Sequence, residues 1–161
     1  MITRLTVACL SALLLALGLA APANADSTVK QSKTGDLYVR AERPSAKQLE
    51  LQYVAMWNPA IGEAPKLANS YRGDTPQLRK NIKMLKNFGQ SYDLLSITIR
   101  ATAAPAISGT TMSVPIIGTI AGFPAQKLKG HYVRDDGRWK LDWKATCAEI
   151  GGCNGNPQWG Y

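Results

Sequence analysis

The stretch from Lys127 to Cys147, KLKGHYVRDDGRWKLDWKATC, constrains the fold more than any other part of the chain. Two alternating segments meet there at Asp136-Gly137, a dipeptide that favours a two-residue turn of the primed type. That register sets Asp135 opposite Arg138, and Arg134 with Trp139, Tyr132 with Leu141 and Gly130 with Trp143 pair on one, mostly apolar, side. The other side carries Lys129, His131 and Val133 opposite Lys144, Asp142 and Lys140. The segment reads as a core hairpin with one wet face.

The first 25 residues stand apart from any fold. Arg4 gives a short positive start, Leu5 to Leu19 is almost wholly apolar, and Ala23-Asn24-Ala25 is a small-x-small cleavage site before Asp26. This order predicts a secretory signal peptide over 1–25. The apolar run is short for a membrane span and none later is longer, so export without a transmembrane anchor is expected. The formal net charge is +8, and one positive charge, Arg4, leaves with the leader. A basic surplus favours anionic partners at long range and says nothing about fold. Cys147 and Cys153 remain in the exported part and are expected to pair. Two thiols with no histidine close in sequence are a poor metal site, so no metal is expected, and no cofactor motif is visible.

Residues 26–44 hold few large apolar side chains and no sustained period, which predicts a flexible lead-in with a brief extended piece at Leu37-Tyr38-Val39. A domain is expected over 45–147, with 148–161 as a tail tethered by the disulfide. Ser45-Ala46-Lys47-Gln48 has the form of a capping box, and Leu49, Tyr53, Met56 and Trp57 then recur on one helical face. Leu51 and Val54 widen the arc, as ordinary core or as the border of a cavity. Asn58-Pro59 ends that helix, and a short second one is expected at Lys66 to Ser70. Thr75 and Pro76 start a third, ending near Phe88-Gly89, with Leu78, Ile82 and Leu85 on one side. Arg79, Lys80, Lys83 and Lys86 gather on the other side, as a docking face for an anionic partner or as a solvated face. Tyr92 to Thr102 and Thr110 to Ile117 read as strands, the second at an edge or ending at Pro115, which cannot donate to a ladder. Helices followed by an antiparallel meander of about four strands predict an α+β fold with the helices on one face of a curved sheet.

Val133-Arg134-Asp135-Asp136-Gly137-Arg138-Trp139-Lys140-Leu141 resembles the last hairpin of the nuclear transport factor two-like superfamily, where an aromatic after the turn packs into a cone of curved sheet and helices. Pro44-Ser45-Ala46-Lys47-Gln48-Leu49 resembles the start of the domain in the actinobacterial low-molecular-weight secreted antigen family, and Lys66-Leu67-Ala68-Asn69, the basic helix and Leu95-Ser96-Ile97-Thr98 continue the likeness. The resemblance implies a secreted, non-enzymatic protein of the cell envelope or culture fluid with a cone-shaped α+β fold. It supplies no catalytic residues.

Three kinds of function are weighed on the residues themselves. A small apolar ligand would sit in a cone lined by Tyr53, Trp57, Tyr132, Trp139, Leu141 and Trp143, unless those side chains fill it. A surface binder would use the basic helix and the tail aromatics Trp159 and Tyr161 on an anionic envelope component or another envelope protein. An isomerase-like enzyme would need Asp93 as base with Tyr53 or Tyr92 as donor, since His131 is expected on the wet face across from Asp142. The expectation is binding rather than catalysis. Nucleic acid is not expected as a partner, because the aromatics are not interleaved with the charges.

Overall fold

The structure is a computed structural model that describes residues 25–153; within it, the side chains of Lys86 and Phe88 are not among those described. The predicted leader up to Asn24 and the end of the tail, with Trp159 and Tyr161, lie outside the described residues. The architecture is α+β, as expected. Helix α1 (Ala46–Trp57) lies against an antiparallel sheet that curls into a half-barrel. The strands are β1 (Ser27–Thr28), β2 (Thr98–Ala101), β3 (Ala106–Ser108), β4 (Thr111–Thr119), β5 (Gln126–Asp135) and β6 (Arg138–Leu141). Their order is β1-β2-β4-β5-β6, with β3 also on β4, so the sheet has six strands rather than four.

The hairpin forms in the expected register from Asp135 with Arg138 to Tyr132 with Leu141. Asp136 and Gly137 both have positive φ, 54° and 69°, which is the backbone a type I′ turn requires. The register fails one pair later. Asp142 caps helix α4 (Trp143–Ala148) by accepting the Ala145 N–H at 3.0 Å, so Trp143 opens a helix instead of facing Gly130 in a strand. Helix α4 then covers the part of β5 that β6 is too short to pair, and the His131 N–H donates to Thr146 Oγ1 at 2.9 Å.

The lead-in is the largest correction. Residues 27–39 are packed rather than flexible: Val29, Leu37 and Val39 are buried, and β1 pairs with β2. The Trp139 N–H donates to the Val39 carbonyl at 2.8 Å, and the Leu141 N–H to the Asn69 carbonyl at 3.0 Å. Two distant segments thereby occupy the outer edge of β6, which would otherwise expose unpaired backbone. Three widely spaced apolar residues anchor this segment, a pattern with no helix or strand period to reveal it.

Pro115 also departs from expectation, because β4 is an interior strand. The Pro115 carbonyl accepts the Thr102 N–H at 2.9 Å, so its nitrogen faces the same side, at the break between β2 and β3. No ladder bond is lost there. The remaining helices are α2 (Glu63–Ala68) and α3 (Pro76–Ser91), the latter running through Gly89. Leu78, Ile82 and Leu85 of α3 face the core as the spacing predicts. Cys147 and Cys153 form a disulfide across six positions, with Cys147 buried.

Candidate functional site

The sheet's concave face and α1 leave a cleft of about 400 Å³ at one end. Tyr53 and Trp57 of α1 form one wall. Ile97, Ile99, Gly118, Gln126 and Leu128 belong to the opposing face, while Tyr92, Leu94, Ile120 and Phe123 come from the connections around the mouth. Strand alternation explains the floor. Ile99 pairs with Gly118 and Gly118 with Gln126, so this row shares one side of the sheet: Ile99 is apolar, Gly118 has no side chain, and Gln126 brings a polar amide. Gly118 leaves space that a side chain would take, since a Cβ there would stand 2.9 Å from Ile99 Cδ1.

The rim is partly exposed and aromatic. The rings of Tyr92 and Phe123 stand 5.3 Å apart at a 59° tilt, a geometry at which ring edges and faces attract. The Ala121 N–H donates to Ser96 Oγ at 2.9 Å and holds the β4–β5 connection beside the 3-10 turn Leu94–Ser96. Trp57 reaches inward as well, meeting Trp143 edge to face at 5.9 Å.

Polar side-chain groups among the described lining residues are few: the hydroxyls of Tyr53, Tyr92 and Thr119, the indole N–H of Trp57 and the amide of Gln126. Burial pushes the Tyr53 phenol up to about 12, against a smaller lowering from the hydrogen bond with Trp57. Desolvation likewise raises Tyr132, helped by the nearby Tyr53 and Glu50. Tyr53 therefore stays neutral at physiological pH and serves as a hydrogen-bonding hydroxyl.

Of the six residues expected to line a pocket, only Tyr53 and Trp57 do so. Tyr132, Trp139, Leu141 and Trp143 are all buried and form the filled part of the core. The Tyr132 ring lies over Gly130, with its hydroxyl donating to the Leu49 carbonyl at 3.3 Å. Trp139 Nε1 donates to the Ala41 carbonyl at 3.0 Å, and Trp143 Nε1 to Ser70 Oγ at 3.0 Å. The half-barrel is thus filled at the hairpin end and open at the other. Ile120 and Phe123 of the mouth escape the sequence reading because they sit in a connection, where spacing carries no signal, while Tyr92 and Leu94 fall in a stretch that reads as strand.

Of the proposed acid–base groups, Tyr53 and Tyr92 line the cleft, whereas Asp93 and His131 do not. Asp93 is exposed and caps the 3-10 turn by accepting the Leu95 N–H at 3.1 Å. His131 Nε2 meets Glu149 Oε1 at 2.7 Å, while Asp142, its expected partner, is buried as the α4 cap. The wet face is also drier than expected. Lys140 folds back onto Asp135 and Asp136 at 2.6 and 2.7 Å. Burial pulls the Lys140 ammonium down, but its hydrogen bonds to the two carboxylates outweigh this and leave it raised.

On α3, Arg79, Lys80 and Lys83 are exposed, whereas the side chain of Lys86 is outside those described. Among the described residues, no group of three or more histidine, cysteine or acidic side chains is arranged to hold a metal ion. Nor, among them, is any helix long and apolar enough to cross a membrane.

A curled sheet closed on a helix at one end and opening to an apolar cleft at the other defines an α+β domain built around a recess. The family model described as "Low molecular weight antigen MTB12, C-terminal domain" matches residues 42–158, and the chain belongs to that family. Comparison with the curated proteins and with the solved structures finds no match.

Proposed function

We propose that this protein is an exported, non-catalytic binding protein whose cleft accepts a small, largely apolar ligand. One observation carries the reading: a cleft of about 400 Å³ is lined mostly by aliphatic and aromatic side chains, with no carboxylate, imidazole or amine among the described residues that line it. That volume falls within the range of small-molecule pockets. A neutral Tyr53, with Thr119 and Gln126, would orient a hydroxyl or carbonyl on the ligand.

An isomerase-like enzyme has less support, because neither Asp93 nor His131 is among the residues lining the cleft: Asp93 accepts the Leu95 N–H beside the mouth, and His131 meets Glu149. The leader pattern and the disulfide support residence in the extracellular fluid or cell envelope. The cone-like closure of sheet on helix supports kinship with the nuclear transport factor two-like superfamily. Exposed Arg79, Lys80 and Lys83 favour an anionic envelope component over another envelope protein as the molecule's surroundings.

Titration of residues 26–161 with a single-chain apolar alcohol, followed by tryptophan fluorescence, tests the cleft. A saturable change that disappears in Trp57→Phe is expected. A flat response in the unaltered protein would remove the proposal.

A further inference from the structure

We infer that the mouth of the cleft is a docking surface for an anionic lipid membrane, with its apolar lip in the headgroup–acyl boundary and the basic side chains of α3 against the headgroups. Docking rests on surface residues; only the idea that a ligand passes between bilayer and cleft rests on the function proposed above.

Six large apolar side chains are exposed among the described residues, and three of them, Tyr92 (37%), Leu95 (42%) and Phe123 (51%), lie on the two segments that make this lip. The Tyr92 and Phe123 rings touch, and the Ser96–Ala121 hydrogen bond ties the Leu95 turn to the Phe123 connection. Contiguous exposed apolar surface of this kind marks an interaction site, whereas single exposed residues do not. The connection is also held in shape, since the Phe123 N–H donates to the Ile120 carbonyl at 3.1 Å. From Ile120 to Gln126 it carries no charged residue, so its tip can leave water without stranding a charge.

Charge selects the partner. Helix α3 ends at Ser91, one residue before Tyr92, and carries exposed Arg79, Lys80 and Lys83. Lys83 lies about 12 Å from that end along the helix axis. Asp93, the acid beside the lip, accepts the Leu95 N–H. The basic surplus that remains without Arg4 favours an anionic surface and works against a second copy, which would bring the same basic surface. Aromatic anchors at the interface with lysines facing acidic lipids are how proteins bind membranes without crossing them.

Co-flotation of residues 26–161 with vesicles tests the inference. Vesicles of phosphatidylcholine with phosphatidylglycerol should carry the protein at low salt, and vesicles of phosphatidylcholine alone should carry much less. Lys80→Glu with Lys83→Glu should reduce flotation about tenfold or more. Leu95→Asp should reduce it similarly while leaving the alcohol titration unchanged, because Leu95 is outside the cleft lining. Equal flotation on both vesicle types, or full flotation of Leu95→Asp, overturns the docking surface and leaves the cleft standing. Flotation without any alcohol response removes the cleft alone. Absent flotation together with a concentration-dependent dimer that Leu95→Asp dissociates assigns the lip to a second copy and also overturns the inference.

Discussion

Tyr92 and Phe123 close the rim of the cleft by ring contact at 5.3 Å, although one follows α3 and the other sits in the connection between β4 and β5. The pair joins two segments that share no strand pairing. An aromatic contact of this kind contributes about 0.5–1.5 kcal/mol beyond the area it buries. Phe123→Ala should therefore speed release of a bound apolar alcohol by about 2- to 10-fold, measured by stopped-flow displacement. An unchanged release rate would mean that the lip does not retain ligand.

Glu50 holds the N-terminal segment to the domain. It is only 3% exposed, yet its Oε2 accepts the Ser27 hydroxyl and its Oε1 the Ala101 N–H, each at 2.7 Å. Lys47 stands 3.5 Å from the same carboxylate. Glu50→Ala leaves both donors without this acceptor, at a cost of about 3 kcal/mol. Urea unfolding should show that loss, and amide exchange should quicken at Ser27 to Gln31 before it does elsewhere. Uniform exchange would separate Glu50 from the docking of this segment.

Gly73 is required by close approach. A Cβ there would fall on the Leu67 carbonyl, whereas one at Gly35 would meet nothing within 4 Å. Gly73→Ala should cost about 2 kcal/mol or more, and Gly35→Ala should change stability by no more than about 0.5 kcal/mol, both by urea midpoint. Equal stability of the two variants would contradict the packing of α2 against the turn before α3.

Tyr53 supplies a pH dependence. Its folded pKa is raised above the ordinary tyrosine value of 10.0 to about 12 by burial, so the folded protein holds this proton more tightly than the unfolded chain. The stability linked to it is complete below 10.0 and declines as pH rises through about 12. Alkaline unfolding should begin later in Tyr53→Phe, if the core tolerates the lost hydroxyl, and tyrosinate absorbance from Tyr53 should appear only as the protein opens. Ionisation of Tyr53 in the folded protein near pH 10 would contradict its burial.

The hairpin was legible in the residues because turn chemistry and alternation agree there, from Asp136-Gly137 out to Tyr132 and Leu141. Capping chemistry likewise located α1 and the start of α3. What sequence periodicity could not reach was contact between distant segments. Val39 on Trp139, Ser27 on Glu50 and Asn69 on Leu141 each depend on a residue whose neighbours have no period. Asp142 was ambiguous for a related reason: the same side chain suits a wet strand position and a helix cap, and only the end of β6 decides between them. The cleft was half visible. Tyr53 and Trp57 show at helical spacing, but Trp139 and Trp143 are large enough to fill the hairpin end, which shifts the opening toward Ile99, Leu128 and the lip.

Binding of an apolar ligand in the cleft is open to direct test by methyl NMR of residues 26–161 during titration with a single-chain apolar alcohol. Saturable shifts are expected at Ile97, Ile99 and Leu128, abolished in Gly118→Val, while Leu141 and Val39 stay still. Shifts confined to residues outside the cleft, or none at saturating alcohol, would contradict it.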